Sequence, residues 1–258
     1  MPRFRLTIEY QGTRYSGWQI QPNAKTIAGE IGHAVRTVTG RDRFELYGAG
    51  RTDAGVHALQ QVAHLDVATT LSPALLVEGL NAALPHDIAI AGAEVASHRF
   101  HARRDATRRT YLYQITRRPV AFGKPLVWWV KEPLNSAAMQ AAASHFVGLH
   151  DFRSFTDADA EETSTKVLVE SVVVHDASPF VLVRIAGSHF LWKMVRRMVG
   201  VLVAVGTGQL REQEVAALLV RSSNVPARLT APAAGLFLER VFYSEEDVDR
   251  PLTPVLML

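Results

Sequence analysis

The chain has 258 residues, 48% of them hydrophobic, which is ample for a packed core and excludes a disordered protein; the length fits one large domain or two small ones. It contains no cysteine, so disulfides and thiolate metal centres are excluded, and a reducing cytoplasm suits it. The net charge is only +3, but it is unevenly spread: His98, Arg99, His101, Arg103, Arg104, Arg108 and Arg109 crowd one short segment, with Arg117, Arg118 and Lys124 soon after.

Such a cluster favours a polyanionic partner; a solvated surface segment is the alternative. Met1 is followed by Pro-Arg-Phe-Arg and then a strand-like pattern, so no signal peptide is expected. The longest apolar run, near 195–205, is too short for a membrane span and is flanked by arginines, so no membrane partner is expected.

In chain order, Arg3–Tyr10 alternates strictly, with Phe4, Leu6, Ile8 and Tyr10 on one face and Arg5, Thr7 and Glu9 on the other, as in a half-buried strand. Residues 27–38 place Ile27, Ile31, Ala34, Val35 and Val38 at helical spacing behind Thr26 as N-cap. A short strand over 43–47, a Gly-rich loop and a strand over 58–67 follow. Ser72-Pro73 opens a helix through Leu84, with Pro at the first helical position, and 88–95 reads as a strand. The order is β-α-β-β-α-β, the ferredoxin-like arrangement. The second half repeats it with additions: a strand over 109–115, a helix over 136–147, strands over 166–175 and 180–186, helices over 189–205 and 211–220, and a closing strand over 236–243. The predicted class is α+β, with two ferredoxin-like halves whose mostly antiparallel sheets could join. The expected boundaries are 1–104 and 105–245, with a tail over 246–258 docked through Val255, Leu256 and Leu258.

Three constellations invite chemistry. Gly48-Ala49-Gly50-Arg51-Thr52-Asp53-Ala54-Gly55-Val56-His57-Ala58 sets three glycines, an arginine, a carboxylate and a histidine between two strands. Glycines admit close backbone approach and positive φ, and a carboxylate beside an arginine suits a polar substrate; an ordinary hairpin with an Arg–Asp ion pair is the other reading. In the helix over 189–205, at about 100° per residue, Leu191, Met194, Val195, Met198, Leu202 and Val205 form one apolar stripe. His189, Lys193, Arg196 and Gly200 gather opposite, with Arg197 at the margin and no acid to pair them, which favours a face turned to substrate or phosphate. In Arg109-Thr110-Tyr111-Leu112-Tyr113, the two tyrosines share a strand face. The strand pattern alone makes both core, although aromatics on a sheet near a basic segment can also stack bases. No His, Asp or Glu spacing resembles a metal site, the Gly-rich loop is neither a P-loop nor a dinucleotide fingerprint, and no Ser sits in a nucleophile elbow.

The loop at 48–58 closely resembles the signature loop of the pseudouridine synthases, in the form found in the family of tRNA-modifying A-type enzymes. Ile8-Glu9-Tyr10-Gln11-Gly12-Thr13, followed by Gly17-Trp18-Gln19, resembles the opening strand and loop of that family, which usually has Asp where Gln11 stands. Arg109–Tyr113 as quoted, Asp151-Phe152-Arg153-Ser154-Phe155, the cationic stretch from Phe190 to Gly200, and Ala231-Pro232-Ala233-Ala234-Gly235-Leu236 resemble further family motifs in the same order. The resemblance implies two ferredoxin-like halves in one sheet with a central cleft, a homodimer bridged by tRNA, and neither metal nor organic cofactor. The implied reaction converts uridine to pseudouridine in the anticodon stem-loop of tRNA, at positions 38, 39 and 40. The resemblance makes Asp53 the catalytic carboxylate, Arg196 the arginine that pairs with it, and Tyr111 the active-site tyrosine against the target base. Arg51 would enter the helical stack and hold the nucleotide out, with Lys193 and Arg197 adding positive potential. Arg103, Arg104 and Arg108 are expected to contact tRNA phosphates. A non-catalytic RNA-binding module is the rival reading, but it leaves a carboxylate in an RNA-facing loop without purpose. A phosphate-ester hydrolase would need a metal site.

Overall fold

The computed structural model describes residues 1–157, 164–244 and 251–255. The first elements in chain order are β1 (Arg3–Tyr10), α1 (Ile27–Thr39), β2 (Phe44–Gly48), β3 (His57–Val67), α2 (Pro73–Ala83) and β4 (Ile88–Ala96). There follow β5 (Arg108–Thr116), β6 (Trp128–Trp129), α3 (Ser136–Ala143), β7 (Gly148–Asp151), β8 (Lys166–Ala177) and β9 (Phe180–Gly187). The last are α4 (Met194–Gly206), α5 (Glu212–Val220), α6 (Val225–Arg228) and β10 (Leu236–Phe242). The fold is α+β and its strands pair mostly antiparallel, as the β-α-β-β-α-β reading predicts.

Two compact units divide the chain. The first comprises Met1–Thr107 and Phe237–Glu245. Its strands run β4-β1-β3-β2, all antiparallel, which is the ferredoxin-like order. On β1, Phe4, Leu6, Ile8 and Tyr10 are buried while the residues between them reach solvent to varying degrees, and Ile27, Ile31, Leu65, Leu76 and Leu80 complete a fully buried core. The polar face of β1 is stitched by cross-strand ion pairs between register partners: Arg3 with Asp66 at 2.5 Å and Arg5 with Glu94 at 3.1 Å. Both helices start on the predicted caps, with Thr26 accepting from Gly29 N–H and Ser72 from Leu75 N–H. The sequence reading placed the closing strand in the second half. Residues Phe237–Glu245 instead group with the first unit, because β10 adds in parallel to β3 through Phe237↔His57 and Leu238↔Ala58. Thr107 N–H donates to Phe242 O at 2.9 Å, and the Tyr243 hydroxyl donates to Ala102 O at 2.6 Å.

The second unit comprises Arg108–Leu236 and Glu246–Leu258. Its strands run β5-β9-β8-β7 antiparallel, with β6 parallel to β5. Two helices are shorter than predicted. The helix expected over 136–147 ends at Ala143 and tightens into a 3-10 turn over Ser144–Phe146. That turn sends Phe146 into a buried cluster with Phe152 and Phe155, 5.4 Å from the latter. The helix expected from 189 begins only at Met194, because Lys193 sits in the left-handed region with φ 62° and breaks the helical path. Nor is α4 apolar on one face and cationic on the other: every residue from Met194 to Gly206 is buried except Arg196. The tail docks through main chain, Val255 N–H donating to Gln114 Oε1 at 2.6 Å. Residues 246–250, Leu256 and Leu258, part of that expected tail, lie outside the described residues. Among the described residues, no helix is long and apolar enough to cross a membrane.

Candidate active-site loop and cationic helix

In the first unit the Gly-rich loop links β2 to β3 as the open end of a hairpin. Its stem is closed by Ala49 N–H on Val62 O at 2.7 Å and by the Gln61 side-chain amide on Gly50 O at 3.0 Å. Arg51 is exposed, Thr52 buried and Asp53 half-buried. The segment after β1 grips this loop from below. Trp18 N–H donates to Thr52 O at 3.1 Å, Gly55 N–H to Tyr15 O at 3.3 Å, and the buried hydroxyls of Tyr10 and Thr52 lie 2.8 Å apart. Gly17 makes the approach possible: its φ is +90°, and a Cβ there would stand 2.5 Å from Thr52 O. Gly12 N–H donates to His57 Nδ1 at 3.0 Å, so that nitrogen is the unprotonated one. Two family-like motifs far apart in sequence are thus one piece of structure. Gln11, where the family usually has Asp, uses its main chain, donating its N–H to Asp87 O at 2.9 Å. The Asp87 carboxylate accepts from the Tyr15 hydroxyl at 2.5 Å; burial and that carboxylate push the phenol above its ordinary range.

In the second unit β5 places Tyr111 and Tyr113 on one face, as predicted, but in different surroundings. Tyr113 is fully buried and donates its hydroxyl to Pro232 O at 2.7 Å; burial pushes its phenol well up, against the opposing charge of Arg196. Tyr111 is half-buried, with the Phe190 ring edge-on at 5.2 Å. Arg196 is half-buried and donates its Nε–H to Ala231 O at 2.7 Å, while Ala231 N–H returns a bond to Arg196 O at 3.0 Å. Gly200 lets that strap lie against α4, since a Cβ there would meet Leu229 O at 1.7 Å. The expectation of cations without an acid is overturned. Asp157, from a different segment, takes Lys193 Nζ at 2.7 Å and also pairs with Arg197, whose side chain is only 5% exposed. The Lys193 ammonium, opposed by burial and aided by Arg197, holds the Asp157 carboxyl below its usual range. A single-helix reading misses this acid, because it lies beyond the 151–155 motif and not on the helix.

The basic segment divides in two. Arg103 and Arg104 are exposed on a turn whose N–H groups at 103 and 104 both donate to His101 Nδ1 at 3.2 Å. The His101 N–H in turn donates to Asp105 Oδ2 at 2.8 Å, and Ala102 N–H donates to the buried His64 Nδ1 at 3.1 Å. Arg108 and Arg109, by contrast, are engaged within the second unit. Arg108 pairs with Glu170 at 3.2 Å, and the largely buried Arg109 donates to Ser188 O at 2.7 Å.

Residues 6–104 and 142–244 match the family described as tRNA pseudouridine synthase. The tRNA pseudouridine synthase A of Nitrobacter hamburgensis is 42% identical over 247 residues, covering 94% of this chain and all of that protein. That of Thermoanaerobacter sp. is 38% identical over the same length and shares. Among solved structures, a Cbf5-Nop10-Gar1 complex gives a TM-score of 0.33 at 12% identity, covering 77% of this chain and 54% of that one, too loose a likeness to define the fold. The chain belongs to the tRNA pseudouridine synthase family, and so to the enzymes of the isomerase class.

Proposed function

We propose that this chain converts uridine to pseudouridine in the anticodon stem-loop of tRNA, at positions 38, 39 and 40, with Asp53 as nucleophile and without a cofactor. The observation that carries the reading is the intact family loop: Asp53 stands half-buried in it, in a chain 42% identical to a tRNA pseudouridine synthase A along 94% of its length. The chemistry is an isomerisation. The bond from the ribose C1′ to N1 of the base breaks, the base turns, and a bond from C1′ to C5 forms; the proton on C5 leaves and N1 gains one. Asp53 must be ionised to attack or to stabilise positive character at the sugar. Arg196 supplies positive charge that favours that ionised form. Tyr111, which is half-buried, stacks on the target base and stands near the proton that must leave C5. An ordinary phenol near pKa 10 is a poor base at neutral pH, so that transfer needs a cationic neighbour. The exposed Arg51 takes the place of the extruded nucleotide, and its phosphate contacts offset the few kcal/mol that extrusion costs. Arg103 and Arg104 bind backbone phosphates; Arg108 does so after giving up Glu170, and Lys193 and Arg197 contribute through a potential that Asp157 partly neutralises. The reading includes a homodimer acting in the cytoplasm.

The test is incubation of the purified chain with an unmodified tRNA transcript in a chelator-containing buffer, followed by chemical mapping of pseudouridine. Product at 38–40 is expected. Tight binding without product would favour the RNA-binding module, and product only outside the anticodon arm would refute the target assignment.

A further inference from the structure

The two peptide planes on either side of Asp53 are both held. The preceding plane carries Thr52 O, which accepts Trp18 N–H at 3.1 Å. The following plane carries Asp53 O, which accepts Val56 N–H at 3.1 Å. Fixing both planes fixes the direction in which the Cα–Cβ bond leaves the backbone, and so where the carboxylate can reach. The residue that carries the first plane is itself anchored, because the Thr52 hydroxyl lies 2.8 Å from the Tyr10 hydroxyl. Tyr10 and Thr52 are 4% and 6% exposed, so water does not compete for this pair, and a buried hydroxyl stripped of its partner is costly. Neither residue takes part in the chemistry set out above, yet both are polar and buried, Thr52 beside Asp53 in the chain and Tyr10 against Thr52.

We infer that Tyr10 and Thr52 are positioning residues of the isomerase: their hydroxyl pair, with Trp18 N–H, sets the aim of the Asp53 carboxylate. The inference rests on the assignment of Asp53 proposed above. A misplacement of about 1 Å at a reacting group can cost on the order of 100-fold in rate. Thr52→Val keeps the shape and removes the hydroxyl; Tyr10→Phe does the same from the other side. Each variant should lose about ten-fold or more in the single-turnover rate at saturating tRNA transcript. The Kd for that transcript should stay within about two-fold, because binding rests on phosphate contacts elsewhere. Thr52→Ser, which restores a hydroxyl, should recover most of the rate. The double variant should be no slower than the worse single one, since the two residues act as a unit.

Rates are measured at a temperature where the folded fraction of every variant is complete by circular dichroism, and Asp53→Asn is run alongside. A wild-type rate for Thr52→Val beside an inactive Asp53→Asn overturns the positioning role alone. Rate losses matched by equal losses in affinity also overturn it, because they mark a general loosening of the loop. Turnover by Asp53→Asn removes the carboxylate reading, and this inference with it.

Discussion

Substituting Asp157 tests whether the turn ahead of α4 is held by charge. Arg197 is 5% exposed and Asp157 37% exposed, and Arg197 Nε is buried without a hydrogen-bond partner among the described residues. Breaking a buried pair by removing one partner costs about 3–5 kcal/mol, because a charge is left stranded, whereas a fully exposed pair is worth about 0.2–1 kcal/mol. The guanidinium belongs to the first regime; the solvent at the carboxylate screens it toward the second, which places Asp157→Asn at about 2–3 kcal/mol. At roughly 2–4 °C per kcal/mol, the melting temperature should fall by roughly 4–12 °C, read by calorimetry or circular dichroism. The pH dependence follows in sign. The Asp157 carboxyl is held below its usual value in the folded chain, so its stabilisation is present above the unfolded value of about 3.9 and is lost as pH falls through the folded one. Replacing both partners, Asp157→Ala with Arg197→Met, removes the stranded charge and should recover much of the loss. A single Asp157→Asn variant that melts within 1 °C of the wild type would refute the reasoning, since the cation would then be satisfied some other way.

Asp53→Asn should fold and bind tRNA normally but yield no pseudouridine by chemical mapping; residual turnover at a tenth of the wild-type rate would contradict the nucleophile assignment. Arg196→Ala should lower turnover more than stability, because the main-chain bond from Ala231 N–H to Arg196 O survives the loss of the Nε bond to Ala231 O; an equal collapse of melting temperature and rate would make it structural. Arg103→Ala with Arg104→Ala should weaken tRNA binding and flatten the slope of log K against log salt by roughly 0.7–0.9 per arginine in phosphate contact; an unchanged slope removes that turn from the interface. Burial, then the charges of Arg3 and His101, holds the His64 imidazole below its ordinary value. The unfolded chain therefore takes the proton first, and stability should decline as pH falls below about 6.5 toward the folded value. His64→Gln should lessen that decline between pH 7.5 and 5.5, and an identical profile for both proteins would count against it.

The strands of both units were legible because alternation survives wherever one sheet face is buried, as on β1, where Phe4, Leu6, Ile8 and Tyr10 mark the core side. Helix starts were legible where a cap is local, as at Thr26 and Ser72. The start of α4 was not, because Lys193 takes a left-handed backbone conformation that a helical wheel does not register, and its ion-pair partner Asp157 lies in another segment. For the same reason the wheel put Arg197 at the margin of a cationic face without an acid, whereas the charge is buried and paired. The signature loop announced itself through its glycines and carboxylate. Its support by Tyr10, Trp18 and Gly17 was legible only as a second motif, with no sign in the sequence that the two touch.

The pairing of β10 with the start of β3 has a consequence for biosynthesis. His57 and Ala58 leave the ribosome well before their neighbours Phe237 and Leu238, which follow Arg108–Leu236 of the second unit in the chain. The nascent first unit must wait with the edge beside its Asp53 loop unzipped, an invitation to stray strands that the arrival of β10 withdraws. A chain cut short before Phe237 would therefore hold every residue of the signature loop and lack the strand that seals it.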